Sequence, residues 1–168
     1  MASVEYRGMN LVIPENDSEW REHFKLASTS HQLMLRTCKQ CTLMRYPPSH
    51  GCPFCAALEW EWQEVSGKGH IYSYEVVHHA IQPGFKEWTP YAVVLVELDE
   101  QRGKPTADEA LRMIANLVTP DGKPEAEAKV AIGKRVRVVF QDLTPDFSLP
   151  QFTLTIEPPV GRVWSLPG

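Results

Sequence analysis

CKQCTLMRYPPSHGCPFC, residues 38–55, holds all four cysteines of this 168-residue chain, and the way they are read decides the fold. Their spacing is Cys-x2-Cys, ten intervening residues, then Cys-x2-Cys: Cys38 with Cys41, and Cys52 with Cys55. Each Cys-x2-Cys turn aims two sulfurs at one point. Two facing turns build a tetrahedral tetrathiolate that suits zinc, or iron in a rubredoxin-like role. A redox motif would need one Cys-x2-Cys opening a helix within a βαβ unit, and Pro47, Pro48 and Pro53 oppose that helix. A disulfide framework would fit a secreted protein, yet the opening MASVEYRGMN lacks the apolar run of a signal peptide. A segment this short buries no core of its own, so a metal supplying on the order of 10 kcal/mol is what would fold it. Four thiolates leave no open coordination position, which makes the metal structural rather than catalytic. His50, inside the stretch, reads as a solvent-facing loop residue, and Arg45 and Tyr46 as surface or packing residues.

Working outward, the upstream segment PENDSEWREHFKLASTS carries a helix signal. Asn16 and Glu19 have capping-box spacing, and Trp20, Phe24 and Ala27 share one face. HQLMLRTC then reads as a strand entering the first cysteine turn. Downstream the apolar period changes to two. GHIYSYEVVHH puts Tyr72, Tyr74 and Val76 on one face; PYAVVLVELD is apolar throughout, as a strand covered on both sides would be. LRMIANLV aligns Met113, Ala115 and Leu117. GKRVRVVFQDL points Val136, Val138 and Phe140 inward with Arg135 and Arg137 outward, and QFTLTIEP repeats the pattern with Phe152, Leu154 and Ile156. KPEAEAKVAI, between the third and fourth strands, holds at most a short helix. Prolines punctuate these runs, as they do between short strands. Five strands with an insertion after the third match an OB-fold, a small Greek-key barrel. The expected organisation is mainly β: a helical N-terminal extension over 1–35, a metal ribbon over 36–62 and a five-stranded barrel over 63–168.

Composition is globular, with 43% hydrophobic and 23% charged residues. Seventeen Lys and Arg against 21 Asp and Glu leave a net charge of −4, so no global positive field draws in phosphate backbones. YAVVLVEL, only eight residues long, falls far short of the roughly 18 needed to cross a bilayer. Together these features predict a soluble protein of the cytoplasm, where thiols stay reduced.

The order of an N-terminal helix, CKQC…YPPSHGCPFC, GKGHIYSYEVVH, PYAVVLVELDE, MIANLV, IGKRVRVVF and LPQFTL resembles a known family. It is that of the rubredoxin-like zinc-ribbon plus OB-fold proteins filed as domain of unknown function thirty-five, and the resemblance runs from about residue 14 to about residue 157. Thr42 and Ala56 stand where such cysteine turns often carry glycine, and Ser49 where arginine often follows the two prolines. The resemblance implies a zinc-binding small subunit that accompanies a thiolase-like enzyme acting on acyl-CoA, such as a thiolase, an aldolase or an acyltransferase. In such a heteromer the thiolase-like partner carries the nucleophilic cysteine. The small subunit holds the complex together and helps to form the acyl-CoA channel.

The residues themselves are compatible with a subunit that has no activity alone. There is no Gly-x-Ser-x-Gly motif, and no fifth cysteine is free for covalent catalysis. The loop AIQPGFKEWTPY carries Phe85, Lys86 and Trp88 as candidate contacts to acyl-CoA or to the partner, with the lysine facing a phosphate. A module binding single-stranded nucleic acid is the alternative, since OB-folds and zinc ribbons both serve that role. The acidic balance disfavours it. His78 and His79 invite an acid–base reading, but neighbours on a strand point to opposite faces, so one is expected packed and the other exposed.

Overall fold

The computed structural model describes residues 2–166, and its strands sort into three sheets. β1 (Ser3–Tyr6) and β2 (Met9–Val12) form a hairpin turned at Arg7 and Gly8, whose φ angles are +54° and +72°. Positive φ at both turn residues gives the primed turn that matches strand twist. Helix α1 (Glu19–Ser30) follows. β3 (Leu33–Cys38), β4 (Met44–Arg45) and β5 (Trp60–Val65) then build a ribbon in the order β4–β3–β5. β6 (Lys68–Val77), β7 (Tyr91–Leu98), β8 (Arg112–Asn116), β9 (Arg135–Thr144) and β10 (Phe147–Leu154) form the largest sheet, ordered β10–β9–β6–β7–β8. A parallel bridge between Leu117 and Phe152 brings the two edges of that sheet together, with the Val118 N–H donating to the Phe152 carbonyl at 2.8 Å. This is the five-stranded order of an OB-fold barrel, as the strand pattern predicts.

The closure is partial for a local reason. Pro150, two residues before Phe152, has no N–H with which to extend the pairing towards Ile114. The seam parts there into a cleft of about 250 Å³ between Phe24, Tyr46, Ile114 and Gln151. Helix and ribbon stand over this opening. Phe24 of α1 packs on Phe147 of β10 with ring centroids 4.7 Å apart, and Arg21 pairs with Asp146 at 2.7 Å. Trp20 and Phe24 thus pack on their own chain, stacked at 6.0 Å.

Barrel and ribbon share one apolar cluster. Val94, Val96, Leu98, Met113 and Phe152 are joined in it by Leu33, Leu35, Met44 and Val65 from the ribbon strands. Each such side chain contributes roughly 1.5–3 kcal/mol when fully buried. Gly67 at the crossing from β5 to β6 has φ +67°, and a Cβ there would run into Val138 Cγ1. Its carbonyl accepts from the Val138 N–H at 2.7 Å, so only glycine allows that approach.

Several details depart from the sequence pattern. Ser18, not Asn16, caps α1, accepting from the Arg21 N–H at 3.1 Å, because a hydrogen-bonded turn from Glu15 to Ser18 comes first. The register of β6 shifts between Ile71 and Ser73, and this bulge turns Tyr72 out to solvent while Tyr74 and Val76 keep the inward face. Arg135 is buried rather than outward, since Asp99 binds its guanidinium through both carboxylate oxygens and Glu157 adds a contact at 3.2 Å. Ile156 lies beyond the end of β10 and is fully exposed. β6 ends at Val77, so His78 and His79 are both exposed in the following bend. No helix among the described residues is long and apolar enough to cross a membrane.

Candidate metal centre

The two cysteine turns are built alike. In the first, the Thr42 N–H donates to the Cys38 carbonyl at 2.9 Å and the Cys38 N–H to the Leu43 carbonyl at 3.0 Å. In the second, the Ala56 N–H donates to the Cys52 carbonyl at 2.9 Å and the Cys52 N–H to the Ala57 carbonyl at 2.9 Å. Each turn ends in a left-handed residue, Thr42 at φ +63° and Ala56 at φ +61°. These are the positions where glycine would be expected, and both side chains adopt the strained conformation nonetheless.

The four Sγ atoms lie within 4.8 Å of one another, with Cys38–Cys55 and Cys41–Cys52 each at 3.6 Å. A disulfide needs about 2.05 Å, which these pairs do not approach. A tetrahedron with Zn–S bonds of about 2.3 Å has edges of about 3.8 Å, so the spacing fits one tetrahedral ion. The backbone N–H of Cys41, together with that of Gln40, pulls the Cys38 thiol down to about 6, whereas burial and the neighbouring sulfurs hold Cys41 and Cys55 up, so a cation at the centre is what would favour all four thiolates together. The cluster can therefore hold a metal ion. His50 points away from it and sits 3.2 Å from Glu19.

A polar junction that the sequence did not advertise joins the ribbon to α1. Arg36, 2% exposed in the middle of β3, pairs with Glu19 at 2.9 Å and Glu22 at 3.4 Å, and its guanidinium lies 3.7 Å over the Trp60 ring. Arg45 is buried as well, and its Nε donates to the Ser49 carbonyl at 3.0 Å, bracing the loop between the cysteine turns. His23 of α1 is buried beside Tyr46 and Trp62 and donates from Nδ1 to the Met34 carbonyl at 3.1 Å. Burial pushes its pKa down to about 4. Gln101, from the loop after β7, fastens ribbon to barrel: its Oε1 accepts from the Met44 N–H at 2.7 Å and its Nε2 donates to the Met44 carbonyl at 3.1 Å.

The candidate contacts Phe85, Lys86 and Trp88 fall together on a 3-10 turn, Pro83–Trp88. Trp88 is buried and Phe85 half-buried in a ring cluster with Tyr91, while Lys86 is exposed. The β1–β2 hairpin, which the sequence reading passed over, lies against this turn: Tyr6 reaches Phe85 at 6.0 Å and Arg7 stacks on Trp88 at 3.5 Å.

Residues 62–141 match the family described as ChsH2, C-terminal OB-fold domain. A protein named "Probable enoyl-CoA hydratase alpha subunit" from Thermomonospora curvata is 34% identical over 143 residues, covering 84% of this chain and 38% of that protein. The chain thus spans well under half the length of that relative. A DUF35 domain-containing scaffold protein from Methanocaldococcus jannaschii is 34% identical over 110 residues, 65% of this chain and 67% of the relative. Among solved structures, the Ltp2-ChsH2(DUF35) aldolase matches with a TM-score of 0.62 and 32% identity, over 80% of this chain and 93% of that one. With its ribbon, its barrel and these relatives, the chain belongs to the DUF35 family.

Proposed function

We propose that the chain is a non-catalytic scaffold subunit of an acyl-CoA enzyme, and that the catalytic partner is a thiolase-like protein. The observation that carries this reading is the 32% identity to the DUF35 chain of an aldolase named for two components. The relative named as an enoyl-CoA hydratase subunit supports the acyl-CoA part. In this reading Cys38, Cys41, Cys52 and Cys55 hold one structural zinc ion, whose chemistry is that of a folding clamp. All four donors are thiolates from the chain, so no position is left for water or substrate. Lys86, with Phe85 beside it and Trp88 beneath, serves as the contact to acyl-CoA or to the partner. OB-folds bind nucleic acid across their second and third strands. Here those are β7 and β8, whose outer positions Val93, Leu95 and Ile114 are apolar, which favours a protein partner.

Co-expression with candidate thiolase-like chains tests the reading. The expected result is a stable complex that turns over acyl-CoA, with little activity from either chain alone. Failure to co-purify, or full activity of the partner without this chain, overturns it.

A further inference from the structure

Every arginine that the fold draws inward meets at least one oxygen acceptor, with one exception, although Arg21, Arg36 and Arg45 each keep one buried guanidinium nitrogen unpaired. Arg21 has Asp146, Arg36 has Glu19 and Glu22, Arg45 has two backbone carbonyls, Arg112 has Glu97, and Arg135 has Asp99 and Glu157. Arg7 has ring faces only: its guanidinium carbon lies 3.5 Å from the Trp88 centroid, 5.1 Å from Tyr6 and 5.8 Å from Phe85. Its Nε is buried without a hydrogen-bond partner, and no side-chain N–H of Arg7 meets an acceptor among the described residues.

Nearby acids do not supply the missing partner. The Glu5 carboxylate accepts from the Gly8 N–H at 2.9 Å, and Glu87, on the same 3-10 turn as Lys86, pairs with neither cation. Lys86 likewise forms no ion pair among the described residues. The approach is tight: a Cβ on Gly84 would stand 2.8 Å from the Arg7 carbonyl oxygen, so glycine is needed where the hairpin tip meets the turn. An arginine stacked flat on an indole keeps its plane fixed and its N–H fork free, the geometry that grips a carboxylate or phosphate through two bonds. A guanidinium that meets ring faces and no oxygen at all leaves its charge open to an acceptor from outside the chain.

We propose that Arg7 and Lys86 form an anion-binding site where the N-terminal hairpin meets the turn Pro83–Trp88, taking the phosphate or carboxylate group of a small ligand. The site extends the proposed contact at Phe85, Lys86 and Trp88. Its test uses this chain alone, so it stands or fails apart from the choice of catalytic partner.

The full chain is titrated with inorganic phosphate and, separately, with acetate at constant ionic strength, while NMR follows the Arg7 Nε–H and the Trp88 indole N–H. Saturable shifts of both signals are expected. Arg7→Gln should weaken the binding roughly tenfold and Lys86→Gln a few-fold, as expected for a charge-assisted pair and a point charge. Tighter phosphate than acetate assigns a phosphorylated ligand, and the reverse a carboxylate. Shifts that rise linearly without saturation, or an affinity unchanged in Arg7→Gln, overturn the site. Should Arg7→Gln dislodge the hairpin, seen in the Tyr6 and Gly8 amide signals, Lys86→Gln decides, and unchanged affinity in that variant overturns the proposal.

Discussion

Strands β6 to β10 bury Ile71, Val94, Val96, Leu98 and Phe152 against one another, whereas the ribbon encloses four sulfurs and a buried arginine and borrows the rest of its core from the barrel. Apolar packing spreads its contribution over many non-directional contacts, so any single loss is partly absorbed. The ribbon depends on a few directional ones. Removal of a single group should therefore injure the ribbon far more than the barrel.

The sharpest test is the metal. Chelation, or Cys52→Ser, should release one metal ion per chain and unfold the ribbon, a loss on the order of 10 kcal/mol for that segment. Near-UV circular dichroism and metal analysis would report it. A ribbon that keeps its tertiary signal without metal breaks the comparison. Next comes the buried cation: Arg36→Met should destabilise the protein by about 1–3 kcal/mol, read from denaturant midpoints, since the ion pairs and ring contact are lost while Glu19 and Glu22 stay partly in water. A loss below about 1 kcal/mol would mean that Trp60 and its neighbours hold the junction without charge.

A pH effect follows from His23. Its folded pKa of about 4 lies below the ordinary 6.5, so the unfolded chain binds the extra proton between those values. Stability should then fall by up to about 1.4 kcal/mol per unit as pH drops from 6.5 to 4, with no contribution from this residue above 6.5. Thiolates and paired carboxylates titrate in acid as well, so the measured quantity is the difference in slope between the native chain and His23→Gln. Equal slopes would remove His23 from the account. The smallest effect concerns the second cysteine turn: Ala56→Gly relieves a left-handed residue at φ +61° and should raise thermal stability by about 1 kcal/mol.

What the sequence disclosed divides along the same line. Repetitive signals were legible: the doubled Cys-x2-Cys and the two-residue alternation of β9 need no knowledge of distant partners. Contacts made at long range were not. Arg36 reads as an oddity in an apolar strand until Glu19 and Glu22 meet it from α1, and Arg135 reads as outward until Asp99 arrives from the end of β7. The bulge at Tyr72 reverses a face without changing any residue type. The β1–β2 hairpin has strands of four residues each, too short for a period to register. Its one local sign was the Arg7–Gly8 pair at the turn.

The Gln101 amide meets Met44 only through the peptide N–H and carbonyl, much as a neighbouring strand would. Such a joint is blind to the side chain across from it. Position 44 can therefore drift among apolar residues during evolution without loosening the fastening, while the burden of specificity falls wholly on position 101.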